Sequence, residues 1–342
     1  MLKKLTGLLM VLTLVSMTSF SFADDCKFRG ALDAAYCDEN KDMVADSPKD
    51  PAKFKDPSTL VFTYTPVEDP AVYQDAFADF QAYLKKVTGK DVIYYTVQSN
   101  AAEVEAMRSG RLHIAGFSTG PTCYGVNLAG YIPIAVKGTK EGFQGYRLLL
   151  ITNAKSNIQT VADLKGKRVA HTSASSNSGN LAPRALFPKL GIVPEKDYTV
   201  VYSGKHDQSV LGVAYGDYDA APVAGDVYKR MVEAGRVDPK SIRIIWQSDM
   251  FPTSSFGYAH DLKPELVEKI IKAFNDYRFT PEMQKTFGGA DRFYPVTYKK
   301  DWAIIRDIAD ANGENFNQAG LEAVAKKEAE AKAKKAAKAK AQ

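Results

Sequence analysis

Short apolar runs rich in β-branched and aromatic residues recur from Thr59 onward, each followed by a stretch whose apolar positions return every three or four residues. TLVFTY (59–64) has strand composition. The next segment places Val72, Phe77, Phe80, Tyr83 and Leu84 at helical spacing and stops at Gly89. DVIYYTV reads as a strand, NAAEVEAMRSG as a helix capped by Asn100 and closed by Gly110, and LHIAGFS as a strand. A second series opens at YRLLLITN. It continues through a strand ending at Ala170, a helix from Leu181 to Leu190, the strand TVVYS, a helix near Asp207 to Gly216, a short strand at Tyr218–Ala221, the helix DVYKRMVEAG and the strand IRIIWQS. In the final block Leu266, Val267, Ile270, Ile271 and Phe274 share one helical face, and a second helix is expected over 301–312. Strands alternating with helices across short joints make βαβ units, so the class is α/β. Two such series and a return segment predict two lobes, one from 59–152 and 248–318 and the other from 153–247, with crossings near 152 and 248.

The ends read differently. Lys3 and Lys4 precede an apolar stretch from Leu5 to Phe20, and Ser21-Phe22-Ala23 supplies small residues at a cleavage site. Residues 1–23 are therefore expected to be a signal peptide that exports a soluble protein to the periplasm. Residues 24–58, charged and proline-bearing, are expected to form an irregular leader, and Cys26 and Cys37 to close a disulfide within it. The net charge of +5 comes wholly from 326–342, which holds seven Lys and two Glu. That Ala/Lys run, within the C-terminal tail 319–342, is expected to be a solvated, frayed helix. Without it the basic argument for a nucleic-acid partner disappears, and no aromatic-basic motif replaces it.

Ligands of open α/β sheets sit beyond the carboxyl ends of strands, against helix N-termini. Four segments meet that condition: Tyr64-Thr65-Pro66, Ser118 to Thr122, HTSASSNSGN (171–180) and Ser203 to Asp207. The decapeptide brings the hydroxyls of Ser175, Ser176 and Ser178 beside the free N–H groups of a helix start. Such a start carries about half a positive charge. It can cradle a tetrahedral oxyanion with no lysine or arginine, or it can simply cap its helix. His206 can donate to the same anion. Asp207 and Asp226 can accept from a hydrogen-bearing ligand oxygen or serve as caps. Cys123 is either a small buried hydrophobe or a soft ligand for a thiophilic metal or metalloid. No G-x-S-x-G elbow, spaced metal-ligand cluster or phosphate-binding loop with a following Lys-Ser/Thr appears, so no enzyme activity and no cofactor are expected.

HTSASSNSGNLAPRALFPKLGI, with YSGKHDQSVLGVAYGDYDAAPVAGDVYKRM and FPTSSFGYAHDLKPEL, resembles the periplasmic phosphate/phosphite/phosphonate-binding proteins of ABC transporters over roughly Leu60 to Asn312. The resemblance implies a two-lobed type II periplasmic-binding-protein fold, each lobe a mixed, mainly parallel sheet flanked by helices, joined by two hinge crossings. It implies Tyr64 at the end of the first strand. Ser118, Thr119, Thr122 and Tyr124 would line one wall, and Ser175, Ser176, Asn177 and Ser178 would form the oxyanion cradle. His206, Asp207 and Asp226 would complete the site. The implied partners are a small oxyanion and a membrane permease, with the chain acting as a monomer. A branch of arsenite-binding sensors that signal to a membrane histidine kinase also resembles this chain and implies Cys123 as the arsenic ligand.

Overall fold

A computed structural model describes residues 26–65, 67–68 and 71–340. The expected signal peptide lies outside the described residues. Twelve strands form two sheets among them: β1 (Thr59–Tyr64), β2 (Asp91–Tyr94), β3 (Ile114–Gly116), β4 (Tyr131–Thr139), β5 (Gly142–Phe143), β6 (Gly145–Asn153), β7 (Arg168–His171), β8 (Thr199–Tyr202), β9 (Ala220–Ala224), β10 (Ile242–Pro252), β11 (Phe256–Ala259) and β12 (Arg292–Pro295). The first sheet runs β12-β4-β11-β3-β1-β2 with β5 on β4, and the second runs β10-β6-β9-β7-β8. Parallel pairing is confined to β2-β1-β3 and β9-β7-β8, where helical crossovers join the strands. The other ladders are antiparallel, so the sheets are mixed but not mainly parallel.

The crossings between lobes also differ from the sequence reading. β6 and β10 pair with each other in the second sheet, so the chain passes over at Gln144–Gly145 and after Pro252. The boundaries near 152 and 248 each cut through one of these strands. A uniformly apolar strand such as YRLLLITN suits either sheet interior, and only its pairing assigns it.

The first lobe is held by aromatic packing. Phe62, Phe77, Phe80, Phe256, Phe274 and Phe293 are fully or almost fully buried, and they meet edge to face or tilted, as Phe80 and Phe293 do at 4.8 Å between centroids. The leader is irregular as expected, with Cys26 and Cys37 joined and a single short helix at Pro51–Lys53. It is fastened to the first lobe where Asp33 N–H donates to the Asn127 carbonyl at 2.8 Å.

The tail is helical, and from Lys326 on its described side chains are exposed or half-buried. Residues Gln318–Lys340 form one helix whose first turns bury Leu321 and Val324 in the core. No helix among the described residues is long and apolar enough to cross a membrane.

Candidate functional site

Between the lobes lies a cavity of ≈ 50 Å³. One water needs roughly 10–15 Å³ by the same measure, so the cavity holds a group of a few heavy atoms. Five helices begin at it. Asn100 is the first residue of Asn100–Arg108, and Ser118 and Thr119 immediately precede Pro121–Ala129. Ser176 is the N-cap of the helical stretch that starts at Asn177, His206 opens His206–Tyr215, and Asp226 sits in the first turn of Gly225–Glu233. These helix starts bring the positive ends of their dipoles to a cavity that no lysine or arginine lines and to which Asp226 adds a negative charge.

The cradle is arranged in detail. Ser176 Oγ accepts from Gly179 N–H at 3.1 Å, which fixes the cap, and lies 3.3 Å from His206 Nε2. His206 Nδ1 accepts the Ala224 N–H at 3.1 Å, so the ring proton of the neutral imidazole sits on Nε2 beside the cavity. Burial brings the pKa of this histidine down to about 4, which keeps it neutral and a one-proton donor at pH 7. Asn177 Nδ2 donates to the Tyr146 hydroxyl at 3.2 Å, while Asn177 Oδ1 and Ser178 Oγ are buried without a hydrogen-bond partner. Opposite, Ser118 Oγ donates to Asn100 Oδ1 at 3.3 Å, and Tyr64, 1 % exposed, stacks on Phe256 with its hydroxyl toward Ser254.

Behind the cavity runs an ionic network that spans the lobes. Asp226 Oδ2 is 2.9 Å from Arg230 and 3.9 Å from Lys137. Burial by itself would raise the Asp226 pKa, but Arg230 and Lys137 outweigh it and hold the group at about 2. Arg230 also reaches across to Glu68 at 2.7 Å, and Glu68 accepts from the Tyr73 hydroxyl at 2.5 Å. Arg236 joins Glu68 (3.8 Å) to Asp207 (3.2 Å). The lobes meet elsewhere through Asn100 Nδ2, which donates to Ser175 Oγ at 3.2 Å, and through His206 N–H, which donates to the Val67 carbonyl at 3.3 Å. Gly120 lies so close to the Ser175 carbonyl oxygen that a Cβ there would collide with it. The cleft is closed.

Several residues expected at the site lie elsewhere. Pro121 starts a helix, so the chain turns inward after Gly120. Thr122 Oγ1 bonds back to the Ser118 carbonyl at 3.0 Å and to Ser255 Oγ at 2.8 Å inside the first lobe. Tyr124 donates to Glu314 and meets Phe316 edge-on at 5.0 Å. Cys123 is fully buried in the core beside Tyr298, with its thiol pushed up to about 12 by burial. It is the small buried hydrophobe, not a soft ligand, and the arsenite reading loses its ligating atom. Ser175 belongs to the interlobe contact, and Ser178 faces Tyr146 without lining the cavity. Asp207 pairs with Arg236 and does not line the cavity either. Tyr64, Ser118, Thr119, Ser176, Asn177, His206 and Asp226 do line it.

The sequence reading missed Tyr146, Thr172, Ser173, Thr253 and Ser254, and it took Asn100 for a cap. Ser99 is the cap, accepting from Ala102 N–H at 3.2 Å, which frees the Asn100 side chain to face the cleft. Thr253 and Ser254 follow a strand in the segment FPTSSFGY, the same signal that located the other loops.

Residues 62–302 match the family described as "ABC transporter, phosphonate, periplasmic substrate-binding protein". The chain belongs to that family. The phosphate-import protein PhnD of Mycolicibacterium smegmatis is 30% identical over 281 residues, 75% of this chain and 83% of the relative. A binding-protein component of an ABC phosphonate transporter from Pseudomonas aeruginosa shares the fold at TM-score 0.67 and 21% identity, covering 83% of this chain and 99% of that one. PhnD1 of Prochlorococcus marinus, solved with methylphosphonate, does so at TM-score 0.67 and 18% identity over 76% of this chain and 100% of that one. The family is one of periplasmic substrate-binding components of ABC transporters. Among the described residues no group of three His, Cys, Asp or Glu is placed to hold a metal ion.

Proposed function

We propose that this chain captures a small phosphorus oxyanion, as phosphate, phosphite or a phosphonate, in the interlobe cavity and delivers it as a monomer to an ABC permease. The observation that carries the reading is the cavity itself: a few-atom space ringed by five helix starts, hydroxyls and a neutral histidine donor, with no lining cation. Preorganised dipoles act strongly in such a dry site because water no longer screens them. Asn177 Oδ1, left without a partner, and the ionised Asp226 are acceptors, so they favour an anion that still carries a hydrogen on oxygen over a fully deprotonated one.

Ligand contacts on both lobes add to the interlobe Glu68–Arg230 and Lys137–Asp226 pairs, so the bound anion shifts the hinge toward the closed state. The thiol chemistry of an arsenite sensor has no place in this cavity, which supports the importer reading over signalling to a kinase. Export through residues 1–23 fits the family's compartment. Titration calorimetry with phosphate, phosphite, methylphosphonate, aminoethylphosphonate, sulfate and arsenite tests the proposal. Binding of at least one phosphorus anion that weakens tenfold or more in Ser176→Ala supports it. Silence of the whole phosphorus series, or binding indifferent to Ser176, overturns it.

A further inference from the structure

A second cavity, of ≈ 460 Å³, adjoins the first, and Asn100, Thr172, Ser173 and Gly204 line both. Its far wall is the C-terminal helix, which presents Ala325, Glu328, Ala329 and Lys332. These positions fall at i, i+3, i+4 and i+7, a single helical face. The helix is seated by its own first turns: Leu321 and Val324 are 3% and 5% exposed, and Gln318 accepts from Arg108 of the first lobe. Past Val324 it runs over the mouth of the cleft, opposite Tyr202, Lys205 and Gln208 of the second lobe.

A bare inorganic anion fills the small cavity and makes no use of the large one. A phosphorus atom carrying one organic substituent presents the same oxygens to the donors and needs a neighbouring space for the rest. The four residues common to both cavities stand between them, and two of these are small (Ser173, Gly204). Beyond them the helix offers the methyl groups of Ala325, Ala329 and Ala331, with the Glu328 and Lys332 side chains among them. Alanine side chains in that row leave room that longer ones would fill.

We propose that the space under the C-terminal helix is a subsite for the organic substituent of a phosphonate or phosphate monoester. The proposal rests on the oxyanion reading of the first cavity and extends it to the ligand's other half. Each methylene buried there is expected to tighten binding by about fourfold.

The test is a calorimetric ladder on the full chain with phosphate, methylphosphonate, n-butylphosphonate and n-butyl phosphate, repeated with Ala329→Trp and Ala325→Trp. Wild type is expected to bind n-butylphosphonate at least tenfold more tightly than methylphosphonate. The n-butyl phosphate arm shows whether carbon-linked or ester-linked substituents gain more. Either tryptophan is expected to erase the gain and leave phosphate affinity within about twofold.

The subsite is overturned if the butyl ligands bind no better than methylphosphonate, or if both tryptophan variants keep the gain. The wild-type ladder decides the matter even where a tryptophan unseats the helix. Loss of every anion in wild type is the distinct failure of the oxyanion reading, and the subsite falls with it.

Discussion

The two sides of the cleft use opposite electrostatics. The cradle around Ser176, Asn177 and His206 contains no formal charge, and its positive potential comes from helix N-termini and a neutral imidazole. The network behind it, from Lys137 through Asp226 and Arg230 to Glu68, is fully ionic and crosses the lobes. Neutral dipoles can accept an anion without first surrendering a counterion, whereas paired charges are costly to separate once buried. Selection of the anion falls to the cradle together with Asp226, where the two meet, and the hold on the closed state falls to the interlobe pairs.

Breaking the network should have the largest effect. Arg230→Ala strands Glu68 and Asp226 without their main cation, and loss of one partner of a buried pair costs about 3–5 kcal/mol. Chemical denaturation should show that loss, and calorimetry should show a weaker ligand of any kind. Normal stability together with normal affinity would remove the network from the account.

Closure can be blocked without touching either charge set. Gly120 has ordinary helical backbone angles, φ −69° and ψ −52°, so Gly120→Ala suits its own backbone, and the nearest atoms its Cβ meets are those of Ser175 and Asn177 across the cleft. Affinity for phosphorus anions is expected to fall about 100-fold, close to 2.7 kcal/mol, with little change in the melting temperature of the free protein. Small-angle scattering should report a lobe arrangement that stays open when ligand is added. A variant that closes normally would contradict the contact.

The cradle itself is sharpened by pH. His171 and His206 are both buried, with their pKa values brought down to about 4 chiefly by burial. Above about pH 6.5 both states are neutral and nothing is lost. Below it the unfolded chain takes up protons that the folded one refuses, so stability falls as pH drops from about 6.5 toward 4. Urea denaturation at pH 7.5 and 5.0 should show the drop, and His206→Gln should lessen it. A flat profile would mean these rings are charged in the native state.

The smallest effect on binding is expected at Cys123. Cys123→Ser buries a hydroxyl in the apolar core and should cost about 1–3 kcal/mol of stability while leaving anion affinity unchanged. An affinity change larger than about threefold would return Cys123 to the site.

The α/β class, the two lobes, the hydroxyl-rich start after β7 and the donor His206 could all be read from the chain, because periodicity, caps and turn chemistry are local. Position along a helix start is not. Ser118 and Thr119 face the ligand space, yet Thr122, Cys123 and Tyr124, three to five residues beyond Thr119, lie in the lobe's interior, because Pro121 begins a helix that is buried on every face. Which sheet claims YRLLLITN, and so where the hinge falls, is a matter of long-range pairing with β10. The ionic network joins residues as far apart in sequence as Glu68 and Arg230, which no spacing rule connects. The same holds for the C-terminal helix. The composition of its Ala/Lys run fixes helix, but its anchoring depends on Leu321 and Val324, ahead of that run, meeting a core built from the rest of the chain. Backbone preference acts between neighbours, whereas burial and charge pairing depend on distances that exist only after the lobes have formed and met.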